Sequence, residues 1–219
     1  MKVVLMGATG FVGREVLDQC LKNSSISAVV AVSRSDLQIV DPKLKVSIVD
    51  DKDFLKYPDS LLEDIKDADA CLWCLGRNPS SEINEARKVC LDYTVTGLQA
   101  MTPTTTKDKD WRFRFIYLSG GAAERDQSKV LWFAQEYRHM RGQVENTILS
   151  HAKDNQNTLE VVIMRPGFVL AKQTSVRDTV RGLAPSVRVD ILARAMIALV
   201  FDASGRQVVE NNEIRELGA

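Results

Sequence analysis

The chain has 219 residues, with 29 Lys+Arg against 29 Asp+Glu, and is 45% hydrophobic and 26% charged. These proportions exclude a disordered chain, and a formal net charge of zero removes the excess of cations that non-specific nucleic-acid binding draws on. No run of about 18 uncharged apolar residues marks a membrane span, no secretory leader is read ahead of the first strand, and Cys20, Cys71, Cys74 and Cys90 are expected as reduced thiols in the cytoplasm.

Lys2 to Met6 (KVVLM) is an apolar run and reads as a buried strand. A glycine loop follows, and Phe11 to Leu21 places Val12, Val16, Leu17 and Leu21 at helical spacing. Ala28 to Val32 is a second strand, Lys43 to Val49 a third, Leu61 to Ile65 a short helix, and Ala68 to Leu75 a fourth strand. Ser81 to Met101 reads as one long helix, with Ser81 able to cap it and Pro103 beyond its end. Thr102 to Asp110 is a polar loop. Phe113 to Leu118 is a fifth strand, Leu131 to Leu149 a helix, Leu159 to Met164 a sixth strand closed by Pro166-Gly167, Asp190 to Phe201 a helix, and Gln207 to Glu210 a last short strand. Strands alternating with helices demand a parallel sheet with right-handed crossovers: an α/β fold, doubly wound, with helices on both faces. Residues 1–219 read as a single domain, with a small C-terminal substrate lobe over about 166–190.

The loop Gly7-Ala8-Thr9-Gly10-Phe11-Val12-Gly13 lies between a strand and a helix, the context in which such spacing holds a dinucleotide. Gly7 allows the tight turn, Gly10 admits the pyrophosphate, Gly13 lets the helix pack closely, and the helix N-terminus offers free amides. The second strand runs into Ser33-Arg34-Ser35. An arginine here reads a ribose 2′-phosphate, so NADP(H) is preferred and NAD(H) is possible; Asp36 could serve a 2′-hydroxyl if the strand ended later. After the third strand, Asp50 and Asp51 offer a carboxylate for the adenine amino group, or form a turn.

Taken in order, Gly7 to Gly13, Cys74-Leu75-Gly76-Arg77, Leu118-Ser119, Tyr137 with Gly142 and Glu145, and Arg165-Pro166-Gly167 make the chain resemble the atypical short-chain dehydrogenase/reductases, in particular the NmrA-like and Tat-interacting oxidoreductase-like branch. The resemblance covers nearly the whole chain. It implies a Rossmann-type sheet binding NADP(H), with Leu75, Gly76 and Arg77 along the cofactor ribose and nicotinamide, and Pro166 and Val169 as the wall at the nicotinamide end. It further implies Ser119 bonding a substrate carbonyl and Tyr137 moving its proton. In the family a lysine four residues after the tyrosine lowers the phenol pKa, because a phenol near 10 is a poor base at pH 7. Here that position is Arg141, which keeps the charge but presents a bulkier planar fork. Many members reduce small carbonyl compounds. Others bind the nucleotide as redox-sensing regulators, and epimerase or isomerase chemistry is a further variant.

Each residue also has a plainer reading: Tyr137 as an amphipathic helix tyrosine, Ser119 as a strand-end turn residue, and Arg141 as a surface arginine paired with Glu145 at i, i+4. Cys71 and Cys74 have CxxC spacing but should point to opposite faces of a strand, and His139 and His151 are isolated, so no metal site is expected. Arg177 and Arg181, with Arg188 and Arg194, read as charged surface or as a greeting for an anionic substrate. The expected partner is a small-molecule substrate, with a homodimer possible and neither nucleic acid nor membrane.

Overall fold

The computed structural model describes residues 1–78, 82–102, 111–172 and 184–219. In chain order the strands are β1 (Lys2–Met6), β2 (Ala28–Ser33), β3 (Leu44–Ile48), β4 (Ala70–Trp73), β5 (Phe113–Leu118), β6 (Leu159–Arg165), β7 (Phe168–Leu170), β8 (Ser186–Arg188) and β9 (Val208–Glu210). Seven of them form one sheet in the order β3-β2-β1-β4-β5-β6-β9, with every neighbouring pair parallel. The architecture is the doubly wound Rossmann-type α/β fold that the strand-helix alternation demands.

The helices are α1 (Phe11–Lys22), α2 (Asp59–Ile65), α3 (Ile83–Arg87), α4 (Tyr93–Met101), α5 (Gln135–Asp154), α6 (Val189–Phe201) and α7 (Asn211–Leu217). Side chains alternate across the strands and make two cores. Val4, Met6, Val30, Val32, Cys71, Trp73, Phe115, Tyr117 and Ile163 face α2 to α5. Val3, Leu5, Val29, Ala31, Leu72, Ile116, Val162 and Met164 face α1, α6 and α7. Cys71 belongs to the first core and Cys74 packs against the second, so the CxxC pair points to opposite faces, as the strand geometry requires.

Three features differ from the pattern read in the sequence. The long helix expected over 81–101 is interrupted: a π-helical turn, Lys88–Asp92, separates α3 from α4. The helix expected from Leu131 starts at Gln135, because Ala134 adopts a left-handed conformation (φ 45) that a helix cannot continue through. The C-terminus adds α7, whose start is closed by a capping box between Glu210 and Glu213. The segment expected as a substrate lobe carries a two-stranded parallel sheet, β7 with β8. Ser81, Pro103 to Asp110, Arg177 and Arg181 lie outside the described residues. Among the described residues no helix is long and apolar enough to cross a membrane.

Candidate functional site

The order of the sheet reverses between β1 and β4, and the loops leaving these strands diverge to opposite faces. Such a switch point opens a crevice at the carboxyl ends of the strands. Gly7 and Cys74 stand on its two sides. The Cys74 amide donates to the Met6 carbonyl at 3.0 Å, bringing the loops so close that a Cβ on Gly7 would lie 2.9 Å from the Cys74 carbonyl carbon and oxygen. Gly7 also has φ +85, which L side chains avoid.

The turn continues with Gly10 as the N-cap of α1. Among the described residues no side chain caps this helix, and its first turn holds no acidic residue, so its leading amides and its positive dipole end are available to an anion. Gly13 serves packing: its Cβ would lie 2.0 Å from the Gly7 carbonyl oxygen, a backbone atom that cannot step aside. Gly13→Ala must therefore push α1 off the loop. Overpacking of this kind costs about 1–3 kcal/mol. The expected result is a lower melting temperature together with weaker dinucleotide binding by titration, since the loop that must shift carries Gly7 and Gly10 of the crevice.

The crevice is lined by Gly7, Thr9, Gly10, Arg34, Asp51, Phe54, Leu75, Gly76, Arg77 and Tyr93, among others. The structure thus brings Gly7, Thr9, Gly10, Arg34, Leu75, Gly76 and Arg77 together. The remaining candidates sit elsewhere. Phe11 is exposed at the start of α1. Val12 and Val169 pack against the core on the α1 face. Pro166 is buried, and its carbonyl accepts the Gly121 amide at 2.8 Å.

Asp50 corrects the sequence reading. It forms a capping box with Asp53 over the 3-10 turn Asp51–Phe54, and its neighbour Asp51 is the carboxylate in the crevice. Asp51 accepts from the Tyr93 hydroxyl at 2.9 Å, from Lys88 Nζ at 3.2 Å and from Arg34 at 3.2 Å. The Tyr93 bond, with Lys88 and Arg34 beside it, holds this carboxyl below the usual carboxylate range. Asp36 is turned away, accepting from the Gln38 side chain at 2.6 Å.

At the nicotinamide end expected for the crevice, the Tyr137 hydroxyl donates to the Arg77 carbonyl at 2.7 Å. Burial pushes its phenol above the ordinary value, and the nearby Arg141 opposes that shift without overcoming it. Arg141 is neither a surface residue nor a partner of Glu145. It is buried, donates to the Leu118 carbonyl at 2.8 Å and lies 5.1 Å over the Tyr117 ring.

Ser119 is also buried, and its hydroxyl donates to Glu145 at 2.5 Å. Glu145, itself fully buried, accepts from Arg125 at 2.7 Å and from Arg165. His139 is half-buried, and among the described residues its Nε2 has no hydrogen-bond partner. Among the described residues no His/Cys/Asp/Glu group could hold a metal ion.

Sequence reasoning missed Tyr93 as a crevice residue and Lys88 as a partner of the crevice carboxylate Asp51. A π-turn bonds i to i+5, as the Tyr93 amide does to the Lys88 carbonyl, and so places residues five apart on one side. In an ordinary α-helix they diverge, and no local pattern announces the change.

Residues 7–203 match the NAD(P)H-binding family. Over 120 residues the chain is 34% identical to leucinostatins biosynthesis cluster protein T of Purpureocillium lilacinum, a stretch covering 54% of this chain and 42% of that relative. It therefore spans less than half the length of the curated relative it matches. Among solved structures, the fold is similar to yeast methylglyoxal/isovaleraldehyde reductase complexed with NADPH (TM-score 0.73, 15% identity, 96% of this chain and 77% of that one). It is similar to Bacillus cereus UDP-glucuronic acid 4-epimerase in complex with NAD (0.71, 15%, 96% and 76%). Alfalfa vestitone reductase is a third such structure (0.68, 21%, 95% and 76%).

Proposed function

Because the chain belongs to the NAD(P)H-binding family, we propose that it is an NADP(H)-dependent oxidoreductase of the atypical short-chain type that reduces a small carbonyl compound in the cytoplasm. The observation that carries this reading is Tyr137: a protonated phenol suspended from the Arg77 carbonyl beside Leu75 and Gly76, the segment that lines the crevice. When bound, the dinucleotide supplies the hydride. The chain's own part is to seat the pyrophosphate on the uncapped start of α1, to hold a 2′-phosphate with Arg34, and to deliver a proton from Tyr137 to the substrate oxygen. The relative named for a biosynthesis cluster supports a small-molecule substrate. The NADPH and NAD complexes among the structural neighbours support a nicotinamide dinucleotide without choosing between the two.

A second reading is a non-catalytic, NmrA-like NADP(H)-binding regulator. It is favoured by all three expected chemical groups being engaged by protein: the Ser119 hydroxyl donates to Glu145, Arg141 to the Leu118 carbonyl and Tyr137 to the Arg77 carbonyl. Titration with NADPH, followed by its oxidation across a panel of aldehydes and ketones, separates the two. Turnover with at least one carbonyl is the expected result. Saturable binding with no oxidation across the panel would leave the regulator.

A further inference from the structure

We propose that Asp51 is an internal stand-in for a phosphate. In the nucleotide-free protein its carboxylate occupies the two cations, Arg34 and Lys88, that receive the adenosine 2′-phosphate of NADP(H), and Lys88 is the second cation of that subsite. The inference rests on the NADP(H) reading above and adds to it a residue and a competitor.

The argument begins with charge. Two cations converge on one carboxylate, each at 3.2 Å, so the cluster keeps one positive charge in excess. It lies at the mouth of the crevice that holds Gly7 and Gly10. The two cations come from elements far apart in sequence, Arg34 from the end of β2 and Lys88 from the π-turn, and meet on the same carboxylate.

The π-turn is the second, independent observation. Its bonding carries Lys88 and Tyr93 to one side, with Lys88 Nζ 5.6 Å over the Tyr93 ring, and both meet on Asp51. An uninterrupted helix would direct them apart. An irregularity of this kind is frequent at functional sites, and here it aims three donors, the Arg34 guanidinium, the Lys88 ammonium and the Tyr93 hydroxyl, at one anion.

Magnitudes decide whether the anion can be exchanged. Side-chain exposure is 63% for Arg34, 52% for Asp51 and 44% for Lys88. Ion pairs this exposed contribute about 0–1 kcal/mol each. A phosphate monoester brings a charge of about −1.5 to −2 and three acceptor oxygens, and a guanidinium meets it with two parallel bonds. The phosphate therefore displaces the carboxylate. NAD(H), with only a 2′-hydroxyl, leaves Asp51 where it is.

The test is the ratio of NAD+ to NADP+ dissociation constants, measured by titration at fixed ionic strength for the parent, Asp51→Asn and Lys88→Met. Removing the competitor should move the preference toward NADP+ by about tenfold, and removing the second cation should move it away from NADP+ by about tenfold, the scale of one charged hydrogen bond. Equal effects of Asp51→Asn on both dinucleotides would make it an adenine or structural contact and overturn the proposal. So would an unchanged ratio in Lys88→Met. Since the ratio is read from binding alone, absence of NADPH oxidation would sink the reductase reading while leaving this one intact.

Discussion

Replacing Tyr137 with Phe is expected to lower NADPH-dependent turnover by at least about a hundredfold, some 2.7 kcal/mol of transition-state stabilisation, while NADP(H) affinity stays within a few-fold of the parent. The phenol loses one hydrogen bond, to the Arg77 carbonyl, which is worth about 1 kcal/mol of stability, so the fold survives and the rate reports chemistry. The direction follows from the proton. Burial raises the phenol pKa and Arg141 opposes this without reversing it. At neutral pH Tyr137 therefore holds its proton, and on the proposed reading it would act as an acid, which suits reduction. The rate of reduction should stay level through neutrality and fall only above pH 10, where a phenol of raised pKa ionises. The reverse oxidation needs the phenolate and should climb with pH over the same range. Undiminished turnover in Tyr137→Phe would remove this residue from the mechanism and leave solvent as the proton source.

What could be read from the sequence is what local pattern encodes. Apolar runs marked the central strands because a parallel sheet covered on both faces leaves them no polar side, whereas the edge strand β3 alternates and is partly exposed. The glycine loop was readable because backbone sterics at a tight turn admit only one residue type, and Gly7 shows both constraints at once. The failures share a cause: they depend on which distant segment arrives. Arg141 is four residues from Tyr137 and four from Glu145, so helical spacing offered it two partners. Leu118 and Tyr117 arrive instead and bury it. Glu145 meets Arg125 and Arg165, each twenty residues away in sequence. The choice between Asp50 and Asp51 turned on a single 3-10 turn, in which the first residue became the cap and the second the crevice carboxylate. Lys88 was hidden by a helical irregularity that changes its direction without changing the composition around it.

Glu145 carries the largest expected effect on stability. Its fully buried carboxylate joins Ser119 at the end of β5, Arg165 at the end of β6 and Arg125 in the loop lying against α5. Removing one member of a buried ion pair costs about 3–5 kcal/mol because the partner charge is left uncompensated. Arg125 is 32% exposed and can rehydrate, and Arg165 keeps a bond to Glu210 at 3.4 Å. Both reliefs place Glu145→Gln toward the lower end, a fall of roughly 6–12 °C in melting temperature at 2–4 °C per kcal/mol. Burial raises the carboxyl pKa, yet the bonds from Arg165, Ser119 and Arg125 outweigh it and leave the value lowered. A group depressed on folding stabilises above its unfolded pKa of about 4.3 and loses that stability as pH falls through the folded value. The parent should therefore lose stability steadily below about pH 5, and Glu145→Gln, having no such proton to bind, should show a shallower acid limb. Melting curves from pH 3 to 7 measure both, and a variant that melts like the parent along the whole series would show that the three strand-end segments are held together by packing alone.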